Sequence, residues 1–220
     1  MAIGEYDTFQ EFLSVEAFRV ARRQLPRTPL LYVHQNDWIT VDGLWMEFGV
    51  YEGTTLNILA GFTQQTIYGF DSFQGLPEDW RAGKEQGRYS LHGQLPQVKG
   101  NVQLIPGWFE ETLPEFLNRH SEPIAFVHID CDLYSSTRTI LSALKNRFVP
   151  GSVIVFDELF NYPGYEQHEL KAFYEFLRET EIECEWIGIQ GPVELVPSQE
   201  TEHRVSGKYS GTAVVVKRAA

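Results

Sequence analysis

Sulfur and positive charge are both scarce in this chain. Its two cysteines, Cys131 and Cys184, lie far apart and lack the paired spacing of a metal ribbon. That excludes a disulfide-framed secreted scaffold and fits a reduced, cytoplasmic setting. Only 18 Lys and Arg stand against 30 Asp and Glu, a net charge of −12. An acid excess of that size argues against nucleic acid and against an anionic membrane surface as partners. No apolar run approaches the roughly 20 residues a bilayer crossing needs. The opening MAIGEYDTFQEF is polar and acidic, unlike a secretory leader. Internal repeats, low-complexity tracts and domain linkers are also missing. With 220 residues, 43% of them hydrophobic, the expectation is one domain over 1–220. Residues 1–43 would form a helical N-terminal extension and 75–100 an inserted lid.

Short apolar runs alternate with helical patterns. Thr8 to Gln24 reads as an amphipathic helix ended by Pro26 and Pro29, with Leu30 to Val41 as connector. Strands are expected at 44–48, 67–71, 102–105, 124–130 and 152–156, with helices at 54–61, 110–119, 136–147 and 167–180. The strands are continuous and apolar, as in a parallel sheet covered on both faces. Residues 184–190 and 211–217 read as an antiparallel C-terminal edge. The fold class is therefore α/β: a Rossmann-like, doubly wound, mostly parallel sheet with helices on both faces.

The segment LWMEFGVYEGTTLNILAGFTQQTIYGFD, residues 44–71, is the most informative. It reads as a buried strand, a turn carrying Gly49 and Gly53, a helix opened by Thr54, and a second strand ending at Asp71. Glycines there let the backbone approach a ligand, and an acid at the second strand tip suits a ribose diol. The third glycine of a dinucleotide fingerprint is absent. Glu47 and Glu52 flank the turn, and carboxylates beside a pyrophosphate repel it. They suit an ammonium, such as the amino acid end of S-adenosylmethionine. An ordinary strand-to-helix turn is the bland alternative, and an oxidoreductase is disfavoured by the same two acids.

A second constellation joins FVHIDCDLYSS at 126–136 with VIVFDELF at 153–160. His128, Asp130 and Asp132 alternate, while Asp157 and Glu158 close the next strand. In adjacent parallel strands both clusters meet at one carboxyl edge. Crowded carboxylates repel unless protonated or bridged by a cation. All-oxygen ligation suits Mg²⁺ or another hard divalent cation. The alternative has Asp130 binding the cofactor, Asp132 capping a helix and Asp157 solvated. Between the two constellations, residues 75–100 hold five glycines and two prolines without periodicity. A connection that long suggests a substrate lid, with room for a short helix.

EFGVYEGTT at 47–55, FDSFQGLP at 70–77, IPGWFEETLP at 105–114, HIDCDLYSST at 128–137 and FDELFNYPG at 156–164 occur in an order that resembles class I S-adenosylmethionine-dependent methyltransferases, more narrowly the macrocin O-methyltransferase-like family. The resemblance implies that Glu47, Gly49, Gly53 and Thr54 line the amino acid end of the cofactor. Asp71 would hold the ribose, Ser72 and Phe73 would flank the nucleoside, and Trp108 and Phe109 would border the adenine. It places Asp130, Asp157 and Glu158 at the metal positions, with Glu158 where a second Asp is common. It further implies transfer of a methyl group to a hydroxyl of a sugar or other small natural product. His92, in the lid, is the first choice of base and His168 the second; His128 is read as structural. Tyr51, Tyr134, Tyr162 and Tyr165 are candidates for the acceptor pocket, with Tyr51 also beside the cofactor. A non-catalytic cofactor-binding regulator is the competing class, and assembly into a homo-oligomer stays open.

Overall fold

A computed structural model describes residues 1–193 and 210–219. Its centre is a seven-stranded sheet: β1 (Leu44–Phe48), β2 (Ile67–Asp71), β3 (Val102–Pro106), β4 (Ile124–Ile129), β5 (Phe148–Phe156), β6 (Glu183–Ile189) and β7 (Thr212–Arg218). The order is β3-β2-β1-β4-β5-β7-β6. All pairs are parallel up to β5, and β7 runs antiparallel to both β5 and β6. The order reverses between β1 and β4, so the crevice beyond their carboxyl ends is where ligands bind in such sheets.

The two central strands are apolar on both faces because helices cover both. Every residue of β1 and β4 is buried. One face packs Met46, Phe48, Val127 and Ile129 against helices that include α1 (Phe9–Ala21), α4 (Phe109–Arg119), α5 (Tyr134–Leu144) and α6 (Glu169–Glu179). The other packs Trp45, Val50, Phe126 and Val155 with α2 (Pro29–Gln35) and α3 (Thr54–Leu59). α1 is fixed to β6 through the buried Glu16 carboxylate, which accepts from Trp186 Nε1 at 2.6 Å, from Arg19 Nη1 at 2.8 Å, and from the Tyr6 hydroxyl.

Three expectations need correction. Leu30 to Val41 is not all connector, because Pro29 starts α2 rather than ending α1. Thr28 caps that helix by accepting from the Leu31 amide, and a first-turn proline gives up no helical hydrogen bond. β5 begins at Phe148 instead of 152, running through Pro150 and Gly151. Gly151 adopts φ +99°, and the Ser152 hydroxyl accepts from the Val149 amide and donates to the Ile124 carbonyl, which carries the strand across the bulge. Residues 75–100 contain no helix. They fold back on themselves instead: the Leu76 amide donates to the Arg88 carbonyl and the Gly87 amide to Leu76, both at 2.9 Å.

Candidate functional site

Local geometry at the switch point follows from one close approach. The Asp130 amide donates to the Phe48 carbonyl at 2.8 Å, and the Gly49 amide to the Phe70 carbonyl at 3.0 Å. A Cβ on Gly49 would lie 1.8 Å from the Asp130 carbonyl oxygen, and its φ is +89°. Only glycine lets the chain turn there. Asp71 then fastens the turn. Its Oδ2 accepts from the Val50 and Tyr51 amides, both at 2.8 Å, and its Oδ1 from the Phe73 amide at 2.7 Å.

Beyond these strand ends lies a cavity of about 530 Å³. Gly49, Tyr51, Thr54, Asp71, Ser72, Trp108 and Phe109 line one part of it, and Asp130, Asp157 and Glu158 line another. Ten of the sequence-selected residues thus share one space. Glu47, Gly53, Phe73 and His92 lie outside its lining. Glu47 is fully buried under the turn, where its Oε2 pairs with His128 Nδ1 at 3.0 Å. Phe73 is in the core, and its carbonyl accepts from the Leu91 and Gly93 amides. Gly53 caps α3 in the left-handed region, facing Val98 and Pro96. His92 is exposed, its amide donating to the Ser90 hydroxyl at 3.0 Å.

Leu76, Pro77 and Glu78 from 75–100, with Ser135, Ser136 and Thr139 from α5, complete the wall. The Ser135 hydroxyl donates to Glu78 Oε1 at 2.5 Å and so ties that segment to α5. Trp80 is buried against Tyr162, with ring centroids 5.5 Å apart. Three lining residues, Tyr51, Tyr89 and Asp132, hold left-handed backbone at φ +47°, +66° and +66°. Non-glycine residues pay for that conformation, which marks the cavity as a strained place.

The carboxylates on the floor are crowded. Burial, then the charges of Asp157 and Asp132, push the Asp130 carboxyl well above the usual range. Burial does the same to Glu158, reinforced by a hydrogen bond to Asp132. Asp132 is also raised by burial, with the Glu158 hydrogen bond opposing. His128, Asp130 and Asp157 each bring one ligand atom within 4.8 Å of the others. Glu158 Oε2, Glu47 Oε1 and His128 Nε2 are buried without a hydrogen-bond partner. Such a set fits a hard cation, which would relieve the repulsion and satisfy orphaned oxygen. The sequence placed Asp132 in the alternating cluster or, alternatively, at a helix cap, and gave Glu169 no role. Glu169 is fully buried at the start of α6, raised well above the usual range by burial and then by the Asp132 charge. Its neighbours come from α6 packing, which no local motif announces. The Glu47–His128 pair was legible in principle, since the two residues stand opposite each other on adjoining strands.

A Rossmann-like sheet with a glycine turn, an acid on the second strand and carboxylates at the switch point is the arrangement of a nucleoside-binding α/β fold. Residues 46–159 match the family described as a methyltransferase domain, and the chain belongs to that family. The likeness to class I methyltransferases is borne out. Among curated relatives, an 8-demethyl-8-(2,3-dimethoxy-alpha-L-rhamnosyl)-tetracenomycin-C 4'-O-methyltransferase of Streptomyces olivaceus is 30% identical over 142 residues, 54% of this chain and 53% of that protein. The chain spans about half the length of the curated relatives it matches. The solved O-methyltransferase NovP shares the fold at TM-score 0.58 and 21% identity, over 93% of this chain and 80% of that one. MycE methyltransferase, solved with Mg and S-adenosylhomocysteine, matches at TM-score 0.51 and 17% identity, over 97% of this chain and 54% of that one. No described helix is long and apolar enough to cross a membrane.

Proposed function

We propose that the protein transfers a methyl group from S-adenosylmethionine to a hydroxyl oxygen of a small natural-product or sugar-type acceptor, with a divalent cation held by Asp130, Asp157 and Glu158. The observation that carries this reading is the meeting of two groups in one cavity. These are the Asp71-fastened glycine turn and the crowded carboxylates of β4 and β5. The curated relatives' names describe O-methylation of such acceptors, and MycE was solved with Mg.

The cofactor supplies an activated methyl group, so the chain has to position, desolvate and take a proton. Asp71 holds the ribose, and Trp108 and Phe109 flank the adenine. Leu76, Pro77 and Tyr89 bring residues 75–100 to the cavity wall. A bound divalent cation would lower the acceptor hydroxyl's pKa and fix its orientation. Two residues compete for the proton. His92 reaches the acceptor only if residues 75–100 close further, since it is exposed and outside the lining. Asp132 is already in the wall of the cavity, so it needs no closure to approach the acceptor.

Calorimetry and a chelation series test the reading. S-adenosylhomocysteine should bind in the micromolar range, and NAD should not. EDTA should stop methyl transfer, Mg²⁺ should restore it, and Asp157→Asn should be nearly inactive while keeping most cofactor affinity. Preference for NAD would overturn the cofactor. Full activity after exhaustive chelation would remove the cation.

A further inference from the structure

We infer that His128 is a direct ligand of the cation through Nε2, and that this nitrogen turns the site's preference from Mg²⁺ towards later first-row ions such as Co²⁺ and Ni²⁺. The inference rests on the cation reading above and places His128 among the ligands. His128 on β4 and Glu47 on β1 stand opposite each other. Both are fully buried, and Glu47 Oε2 meets His128 Nδ1 at 3.0 Å. Side chains two apart on a strand share a face. Asp130 follows His128 by two residues, and Asp157 follows Val155, the β5 partner of His128, by two. The Asp157 amide donates to the Ile129 carbonyl at 2.9 Å, which keeps the two strand ends in register. Imidazole and both carboxylates therefore converge, each offering an atom within 4.8 Å of the others.

Two features separate this group from a mere crowd of acids. His128 Nε2 is buried and has no hydrogen-bond partner among the described residues. A ring kept only to pair with Glu47 would leave that nitrogen desolvated and unused, which buried polar atoms rarely are. A cation takes up its lone pair. Glu47 in turn supplies what a ligating histidine needs, a carboxylate that accepts from the other ring nitrogen and so fixes tautomer and orientation. Glu158 lies outside the group and shares a hydrogen bond with Asp132, so in this arrangement the third donor is the nitrogen. Oxygen-only sets suit Mg²⁺ and Ca²⁺, whereas an imidazole favours the later first-row ions. Asp130 and Asp157 line the cavity, so an ion entering there meets His128 beneath them.

The test uses the full chain, free of any histidine tag and saturated with S-adenosylhomocysteine, with Mn²⁺, Co²⁺ and Mg²⁺ as probes. Pulsed electron paramagnetic resonance of the Mn²⁺ form should show coupling to a directly bound nitrogen. His128→Gln should lose that coupling while still binding S-adenosylhomocysteine. By calorimetry Co²⁺ should bind more tightly than Mg²⁺, and His128→Gln should cut that ratio by about tenfold or more, which a purely structural histidine would not do. Glu47→Gln should keep the coupling and weaken Mn²⁺ by roughly 10–100-fold. Mn²⁺ bound without nitrogen coupling would overturn the inference, and so would coupling that survives His128→Gln. If His128→Gln does not fold, the other two measurements still decide: no coupling in the wild type, or unchanged Mn²⁺ affinity in Glu47→Gln, overturns it. Failure of all three ions to bind would instead defeat the underlying cation reading.

Discussion

Asp71 accepts three backbone amides, so removing its carboxylate would loosen the turn as well as the ribose contact. Asp71→Ala should weaken S-adenosylhomocysteine binding by at least the 1.5–3 kcal/mol expected for about one charge-assisted hydrogen bond. Calorimetry of the variant checks this; unchanged affinity would mean the ribose is held elsewhere. The base can be resolved by a paired comparison. If Asp132 takes the proton, Asp132→Asn should lower turnover by roughly 10²–10⁴-fold and His92→Ala should leave it near normal. The reverse pattern would assign the base to His92 and require the segment around it to close. Gly49, Asp71, Asp130 and Asp157 were all legible in the sequence because each sits at the end of a short apolar run. Asp132 was legible in the same alternating cluster as Asp130, but Glu169 was not. Its chemistry depends on how α6 packs, and residue order does not encode that.

Residues 75–100 behave as a packed connection whose few anchors are separable. Trp80 buries its ring against Tyr162, while Asn57 of α3 ties down the far end through Gln97 and Lys99. Trp80→Ala should cost about 3 kcal/mol or more by the usual cavity argument and speed amide exchange over 76–88. Exchange unchanged in that stretch would show that the ring does not hold it. Proline and glycine misled the sequence reading at the element scale in both directions. Pro29 looked like a terminator and proved to be a first helical residue, and Pro150-Gly151 looked like a strand boundary and proved to be a bulge. Five glycines between 75 and 100 suggested looseness, yet Gly75 is there for contact. A Cβ on it would lie 2.5 Å from the Gly87 and Arg88 carbonyl oxygens. Periodic apolar strands carried no such ambiguity, and their positions agree within a few residues.

For the whole molecule, one source of pH sensitivity outside the cavity is His34. His34 stacks on Phe62 at 4.8 Å and on Trp45 at 5.3 Å, and burial, with a smaller push from His128, lowers its pKa to about 4. A depressed histidine is neutral in the fold while the unfolded chain takes up a proton near 6.5. Stability from this residue is therefore whole above 6.5 and lost as the pH falls towards 4, by up to about 3 kcal/mol. The raised carboxyls of Asp130, Glu158 and Glu169 act oppositely, contributing at low pH and losing that contribution as the pH rises. Urea midpoints of wild type and His34→Phe between pH 6.5 and 4 separate the two. The variant should lose less stability over that window, and parallel curves would show that His34 protonates freely in the fold.

The left-handed backbone at Tyr51, Tyr89 and Asp132 also bears on how the molecule could be engineered. Each non-glycine residue in that region carries roughly 1–2 kcal/mol of strain, which an Asn or Gly would partly release. A library screened only for heat tolerance would be drawn to these positions, where an unused gain is stored. It would then trade away the ring or carboxylate that shapes the cavity. Screens for durability and screens for turnover should accordingly pull this chain apart at the same three places.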